Sequence, residues 1–95
     1  MLRGEYERFK NITSATTTVV KTGPGVLVGI TVNKAVAAST ITVYDNTAGS
    51  GTKIATITHP ATLTANQYAL PYFCKVGTGI TVVTSGADDL TVTYQ

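Results

Sequence analysis

Residues 40–58 read TITVYDNTAGSGTKIATIT, and this stretch decides the fold class of the chain. Two runs rich in Thr, Ile and Val flank a segment of Asp, Asn, Gly and Ser. β-Branched residues favour extended backbone, whereas Gly, Asn, Asp and Ser favour turns. Gly51 and Lys53 also raise the alternative of a phosphate-binding loop, which requires a Gly-Lys step that opens a helix. Thr52 separates the two residues and a strand pattern follows, so the stretch predicts a β-hairpin.

The same alternation continues through most of the chain, with turn residues between the runs. A period of two places apolar side chains on one face of a strand and polar ones on the other. We expect seven strands, at about residues 16–21, 26–33, 40–44, 53–58, 68–73, 80–84 and 90–94. Pro71 lacks a backbone N–H, which places the fifth strand at a sheet edge or a bulge. In the fourth strand, Ile54 and Ile57 cannot share a face without a bulge.

These strands predict an all-β fold, a small antiparallel β-sandwich of about seven strands with an N-terminal arm. Residues 85–89 read SGADD, a hairpin-type turn, so we expect the two strands that flank this segment to be antiparallel neighbours. A chain of 95 residues supports one modest core. The predicted core residues are Val26, Val28, Ile30, Val32, Ile41, Val43, Ile80, Val82, Leu90 and Val92.

The first residues differ in composition from the rest of the chain. Five of the twelve charged residues lie in the first ten positions, where Leu2, Tyr6 and Phe9 recur at helix-like spacing. We therefore divide the chain into an N-terminal arm, residues 1–13, and a β-sandwich domain, residues 14–95. The arm is either a frayed terminus or a strap that docks on another subunit. The residues predicted to contact a partner are Leu2, Arg3, Tyr6, Arg8, Phe9 and Lys10.

The chain carries few residues suited to catalysis or metal binding. His59 is the single histidine and Cys74 the single cysteine, and no nucleophile motif accompanies either residue. Asp88 and Asp89 are adjacent, so in extended backbone they point to opposite sides, and a calcium site that combines them with Asp45 is an alternative. We predict no enzyme, no cofactor and no metal. We also expect alanine at His59, Cys74 or Asp88 to leave partner binding intact.

Low charge is the most informative feature of the composition. Charged residues make up 13% of the chain, hydrophobic residues 43%, and about one residue in five is threonine. The lysines fall singly, which predicts no nucleic-acid partner, and no apolar run approaches the length that a membrane span needs. Interfaces between subunits are depleted in charge, so this composition favours a structural protein with partner chains.

Three stretches resemble a recurring pattern in small virion proteins of tailed bacteriophages: GVLVGITVN at 25–33, STITVYDNTAGSGTKIATIT at 39–58 and GITVVTSGADDLTVTY at 79–94. The resemblance covers residues 13–95. It implies a non-enzymatic protein of the capsid surface, made in the host cytoplasm. We expect a decoration or cement protein that binds the major capsid protein and itself as a homotrimer. A head–tail connector, a head-fibre base, and a carbohydrate-binding or host-attachment module are the alternatives.

Overall fold

The computed structural model describes residues 7–95, and their regular secondary structure consists of β-strands. Each strand runs antiparallel to the strands with which it pairs. The eight strands are β1 (Arg8–Ile12), β2 (Thr17–Thr22), β3 (Gly25–Lys34), β4 (Thr40–Asp45), β5 (Thr52–Thr58), β6 (Tyr68–Val76), β7 (Gly79–Thr84) and β8 (Asp89–Tyr94). The all-β prediction is confirmed, with β1 added in front of the seven expected strands.

Two four-stranded sheets form the sandwich. Sheet A has the strand order β1-β8-β3-β6, and sheet B has the order β2-β7-β4-β5. The predicted hairpin around SGADD is therefore wrong, because β7 lies in sheet B and β8 in sheet A. Residues 85–88 carry the chain from one sheet to the other. Instead of pairing with each other, β7 pairs with β2 and β4, and β8 pairs with β1 and β3.

A bulge in β3 changes one part of the predicted core. Where β8 advances by one residue, β3 advances by two, and the extra residue is Val28. The inward face of β3 therefore carries Leu27, Ile30 and Val32, which are at most 1% exposed. Val26 and Val28 are only half-buried. Their assignment to the core is wrong, because one inserted residue reverses the facing of every residue before it.

The other predicted core residues are confirmed. Eight side chains from both sheets are at most 1% exposed: Ile30, Val32, Ile41, Val43, Ile80, Val82, Leu90 and Val92. Each such burial contributes about 1.5 to 3 kcal/mol to folding. The bulge expected between Ile54 and Ile57 is also present, since Ile54 is an extra residue opposite the step from Val43 to Tyr44.

Part of the predicted arm belongs to the sandwich. β1 pairs with β8, and Ile12 is 4% exposed in the core. All five residues of β1 thus lie within residues 1–13, the segment that composition set apart. Three of the predicted contact residues lie in β1 with exposed side chains: Arg8, Phe9 and Lys10. The other three lie outside the described residues: Leu2, Arg3 and Tyr6.

The opening stretch of sequence forms the predicted hairpin, in which β4 pairs with β5. The Asn46 side-chain amide donates to the carbonyl of Ser50 at 2.7 Å, and Gly51 adopts a φ of 98° that suits glycine. The loop, residues 46–51, folds over the outer face of sheet B. A Cβ on Gly49 would lie 2.9 Å from the Val83 side chain, which shows how closely the loop packs there.

Candidate functional site

Four polar side chains from separate segments meet at one end of the sandwich. Ser39 precedes β4, His59 follows β5, Tyr68 begins β6 and Asp88 precedes β8. Ser39, His59 and Asp88 are 3%, 5% and 0% exposed. Buried polar groups are costly unless they find partners, so their mutual contacts determine what the cluster does.

Asp88 is the centre of this cluster. Its Oδ2 accepts hydrogen bonds from Ser39 Oγ at 2.9 Å and from the backbone N–H of Val36 at 3.1 Å, and it lies 2.9 Å from His59 Nδ1. Among residues 7–95, Oδ1 is buried without a hydrogen-bond partner. A carboxylate only accepts, so the proton of the His59 ring that faces it sits on Nδ1. The carboxylate therefore joins three connections of the fold: β3–β4, β5–β6 and β7–β8.

The second ring nitrogen of His59 faces Tyr68. Nε2 makes a short hydrogen bond with the Tyr68 hydroxyl, and the two rings meet edge to face with centroids 5.7 Å apart. When Nδ1 carries the single ring proton, Nε2 is the acceptor for the Tyr68 O–H. Burial raises the pKa of Tyr68, and the nearby Asp88 and Tyr72 raise it further. Tyr68 therefore keeps its proton and remains a donor at neutral pH.

Serine, histidine and aspartate in contact raise the question of nucleophilic catalysis. In a hydrolase triad the acid contacts Nδ1 and the serine contacts Nε2, so that the ring passes the proton between them. Here Ser39 Oγ lies 2.9 Å from the same Nδ1 that faces Asp88, while Tyr68 takes Nε2. Ser39 Oγ also donates within the loop, to the Val36 carbonyl or to Asp88. The geometry ties loops together and offers no accessible nucleophile with its own base.

Backbone hydrogen bonds extend the same connection. The N–H of His59 donates to the carbonyl of Ser39 at 2.8 Å, and the N–H of Ala38 donates to the carbonyl of Pro60 at 3.0 Å. Ala38 adopts a φ of 59°. For an L-residue this left-handed conformation costs about 1 to 2 kcal/mol, which the surrounding contacts must offset.

A second carboxylate, that of Asp45, organises the opposite end of the sandwich. It accepts hydrogen bonds from the backbone N–H groups of Gly77, Thr78 and Gly79 at 3.0, 2.9 and 3.2 Å. These bonds, that of Gly77 most, hold the pKa of Asp45 below its usual value. Asp45 and Asp88 lie at opposite ends of β7, so they cannot share a calcium ion. Among residues 7–95, no three His, Cys, Asp or Glu side chains converge as metal ligands.

Asp89 faces the other way from Asp88, as the sequence predicted. Its Oδ1 accepts from the side-chain amides of Asn11 at 2.8 Å and Asn33 at 3.1 Å, across β1, β8 and β3. The bond from Asn11, followed by that from Asn33, lowers the pKa of Asp89. Beside Asn33 lies a polar cleft of about 530 Å³, lined by Asn33, Lys34, Asn66 and Gln67.

An apolar groove crosses the outer face of sheet A near the Asp45 end. Its volume is about 360 Å³, and within residues 7–95 it is lined by parts of β8, β3 and β6 and by the residue before β1, among them Glu7, Val28, Gly29, Pro71 and Phe73. Pro71 lies on an edge strand at a bulge, as predicted. Cys74, three residues on, is half-buried and packs against the core.

Comparison with protein families, curated proteins and solved structures finds no match to this chain. Residues 7–95 also contain no helix that is long and apolar enough to cross a bilayer. The phage resemblance therefore remains a prediction from sequence.

The sequence reasoning missed the Ser39–His59–Asp88 cluster. Ser39 and His59 are 20 residues apart, and Ser39 and Asp88 are 49 apart, so no local motif joins them. One feature of the sequence could have drawn attention to this cluster: the single histidine, His59, directly precedes a proline in a connection between strands. The expectation that His59 and Asp88 carry no chemical role stays untested for partner binding, but both residues have a structural role.

Proposed function

We propose that this chain is a non-enzymatic structural protein of a bacteriophage particle, a capsid decoration protein that binds the major capsid protein and stabilises the shell. It is made in the host cytoplasm and acts at the capsid surface. The resemblance of residues 13–95 to small virion proteins supports this proposal. One observation of the fold carries it: the outer face of sheet B is almost uncharged.

Two rows of outward positions cross all four strands of sheet B. The first row consists of Thr17, Val83, Thr42 and Thr56, and the second of Val19, Thr81, Tyr44 and Lys53. Thr81 is fully buried beneath the loop, because its hydroxyl donates to the Asn46 carbonyl. Lys53 is the only charged residue in these rows. The loop that folds over this face, residues 46–51, adds no charge. Val19 is nevertheless 47% exposed, so apolar surface remains open to solvent.

A face of this kind suits a subunit contact better than a free surface. The centres of interfaces are depleted in charged residues, and desolvating a charge on docking is costly. β-Branched side chains have little rotamer freedom to lose when a partner covers them. Among residues 7–95, β5 pairs on one side only, with β4, and Lys53 is its one charged residue. This edge therefore has little charge to protect it against strand pairing.

The size of the chain supports self-association as part of the proposal. A stable contact buries roughly 800 Å² on each partner, which is about 15% of the 5185 Å² surface of one chain. A single small copy reaches few neighbouring capsid subunits, whereas a homotrimer brings three copies of the face to them. Sedimentation of the free protein measures this oligomeric state directly.

The test is to co-express the chain with the major capsid protein of the same genome and to measure occupancy on the shells by electron cryomicroscopy. We expect the wild type to decorate the shells and to raise their melting temperature. Glutamate at Val19 and Thr56 should abolish decoration while the free protein stays folded. Glutamate at Thr64, an exposed position in the β5–β6 connection, is the matched control and should bind as the wild type does. Absence of wild-type binding would refute the virion assignment.

Sugar binding is the second candidate, and the polar cleft of Asn33, Lys34, Asn66 and Gln67 favours it. Amide side chains both donate to and accept from sugar hydroxyls. Against it stands the absence of tryptophan, the residue that most often stacks on sugar rings in such modules. A glycan array with wild type and an Asn33→Ala, Gln67→Ala variant decides between the candidates. Cleft-dependent glycan binding without shell binding would favour this second function.

A further inference from the structure

The outer face of sheet A carries two of the three large apolar side chains that are exposed within residues 7–95. Phe9 in β1 is 71% exposed and Phe73 in β6 is 60% exposed, whereas the third, Val19, lies on sheet B. Exposed aromatic rings grouped on one face are typical of contact sites, because buried aromatic residues contribute much of the energy of an interface. The outer face of sheet A is therefore a candidate interaction surface.

Phe9 and the apolar groove belong to one row of this sheet. Phe9 pairs with Thr93, Thr93 with Gly29, and Gly29 with Pro71. Ile12, three positions after Phe9, is buried in the core, so Phe9 points to the outer face. The last three members of the row line the groove, and Phe9 does not. The ring is thus presented at the β1 edge, beside a groove that it does not fill.

The groove is suited to one aromatic side chain. A Cβ on Gly29 would lie 3.0 Å from the Leu70 carbonyl oxygen, so glycine keeps the floor of the groove low where the strands approach closely. Val28 and Phe73 form apolar walls around a volume of about 360 Å³. Phe73 adopts a φ of 51°, which is rare for an aromatic residue and persists only where the surrounding structure imposes it. The fold therefore holds this wall in place at a cost.

The charges around the ring complement the charge of the groove. Among the described residues that line the groove, Glu7 is the one that carries a charge. Arg8 and Lys10 flank Phe9 with exposed side chains, and because β1 is an edge strand these long side chains extend past the sheet. A Phe9 ring that enters the groove of another copy brings two positive charges toward one negative charge. Complementary charges of this kind orient a contact and favour it over other pairings.

We propose that a second copy of this chain covers the outer face of sheet A, with the Phe9 ring of one copy in the groove of the next. The ring lies at the β1 edge and the groove lies over β8, β3 and β6, so the contact joins two different patches. Head-to-tail contacts of this kind can close into rings, and three of them give a homotrimer. The inference rests on the self-association in the proposed function and names its surface. It leaves the outer face of sheet B free for the capsid.

Sedimentation of the free, full-length protein over a range of concentrations tests this contact. We expect a wild-type trimer, and Phe9→Ser should raise its dissociation constant roughly tenfold or more, as truncation of a central aromatic residue does in other interfaces. Val19→Ser, an exposed apolar position on sheet B, is the matched control and should associate as the wild type does. Both side chains are exposed, so the circular dichroism spectra should show that both variants fold.

A mixing experiment tests the head-to-tail arrangement. Phe9→Ser removes the ring and keeps the groove, whereas Thr93→Tyr fills the groove and keeps the ring. Each variant alone should fail to form the trimer, but an equimolar mixture should form a one-to-one complex, because one intact ring can still enter one intact groove. Absence of this complex would overturn the head-to-tail contact.

The outcomes separate this inference from the rest of the proposed function. A Phe9→Ser variant that forms the trimer as the wild type does would overturn this contact alone. A wild type that stays monomeric at every concentration would overturn both the contact and the homotrimer, and the groove would then belong to a different partner. Neither result decides capsid binding, which the decoration of shells measures separately.

Discussion

One carboxylate at each end of this sandwich holds neighbouring segments together by hydrogen bonds. The two carboxylates differ in burial and in the kind of partner that they bind. Asp88 is fully buried and binds two side chains and one backbone N–H, while one of its oxygens has no partner among residues 7–95. Asp45 is partly exposed and accepts only backbone N–H groups, from one turn. Water can replace the partners of Asp45 but not those of Asp88. An aspartate therefore contributes very different amounts to the stability of the fold at the two ends.

The two ends also differ in their backbone. In the turns around Asp45 the positive φ values fall on Gly23 and Gly51, where they cost little. Near Asp88 the positive φ falls on Ala38, where a side chain makes it unfavourable. The Asp88 end thus holds strained backbone in place with a buried hydrogen-bond network, whereas the turns around Asp45 use glycine and need less support.

The largest effect is expected from Asp88→Ala. This change strands Ser39, His59 and the N–H of Val36 in the interior, and removal of one partner of a buried pair costs about 3 to 5 kcal/mol. Urea unfolding at neutral pH measures the loss. Asp88→Asn, which keeps the shape and one acceptor, should lose less. Equal stability of Asp88→Ala and wild type would show that the cluster does not hold this end.

Ser39→Ala should have an intermediate effect. It removes a hydroxyl that donates to the Val36 carbonyl or to Asp88, and a hydrogen bond to a charged group contributes about 1.5 to 3 kcal/mol. A double-mutant cycle with Asp88→Asn, again by urea unfolding, measures how far the two losses depend on each other. Strict additivity would mean that Ser39 and Asp88 act separately and would contradict the network.

Ala38→Gly should stabilise the protein slightly. It relieves about 1 to 2 kcal/mol of left-handed strain and adds about 0.5 to 1 kcal/mol of unfolded-chain entropy, so the net gain is about 0.5 to 1 kcal/mol. Thermal unfolding measures the gain, with the exposed Ala61→Gly as the control that should not stabilise. A loss of stability in Ala38→Gly would show that the backbone at this position is not strained.

Asp45→Asn should have the smallest effect at neutral pH and is distinguished by its pH dependence. The pKa of Asp45 is lowered in the fold, so its contribution is complete above the unfolded value of about 3.9 and disappears as pH falls through the folded value. The wild type should therefore exceed the variant in melting temperature at pH 7, and the difference should shrink below about pH 4. A difference that stays constant on acidification would exclude the carboxylate as its source.

Local pattern predicted much of the fold because alternation and turn residues are properties of neighbouring positions. The hairpin of residues 40–58, the bulge at Ile54 and the edge position of Pro71 all followed from residues within one or two strands. The bulge at Val28 did not, because β3 alternates regularly through that point. Only the pairing with β8 and β6 shows where the facing reverses.

The sequence by itself determined the all-β class, the positions of seven strands and most of the core, because these depend on side-chain periodicity along the chain. Tertiary structure decided that β7 and β8 lie in different sheets, that residues 8–12 join sheet A, and that His59 meets Asp88. Each of these outcomes depends on stabilising contacts between segments that are far apart in the sequence. Hydrogen bonds across a sheet and the burial of a carboxylate are settled only when the whole chain packs, so no local pattern encodes them.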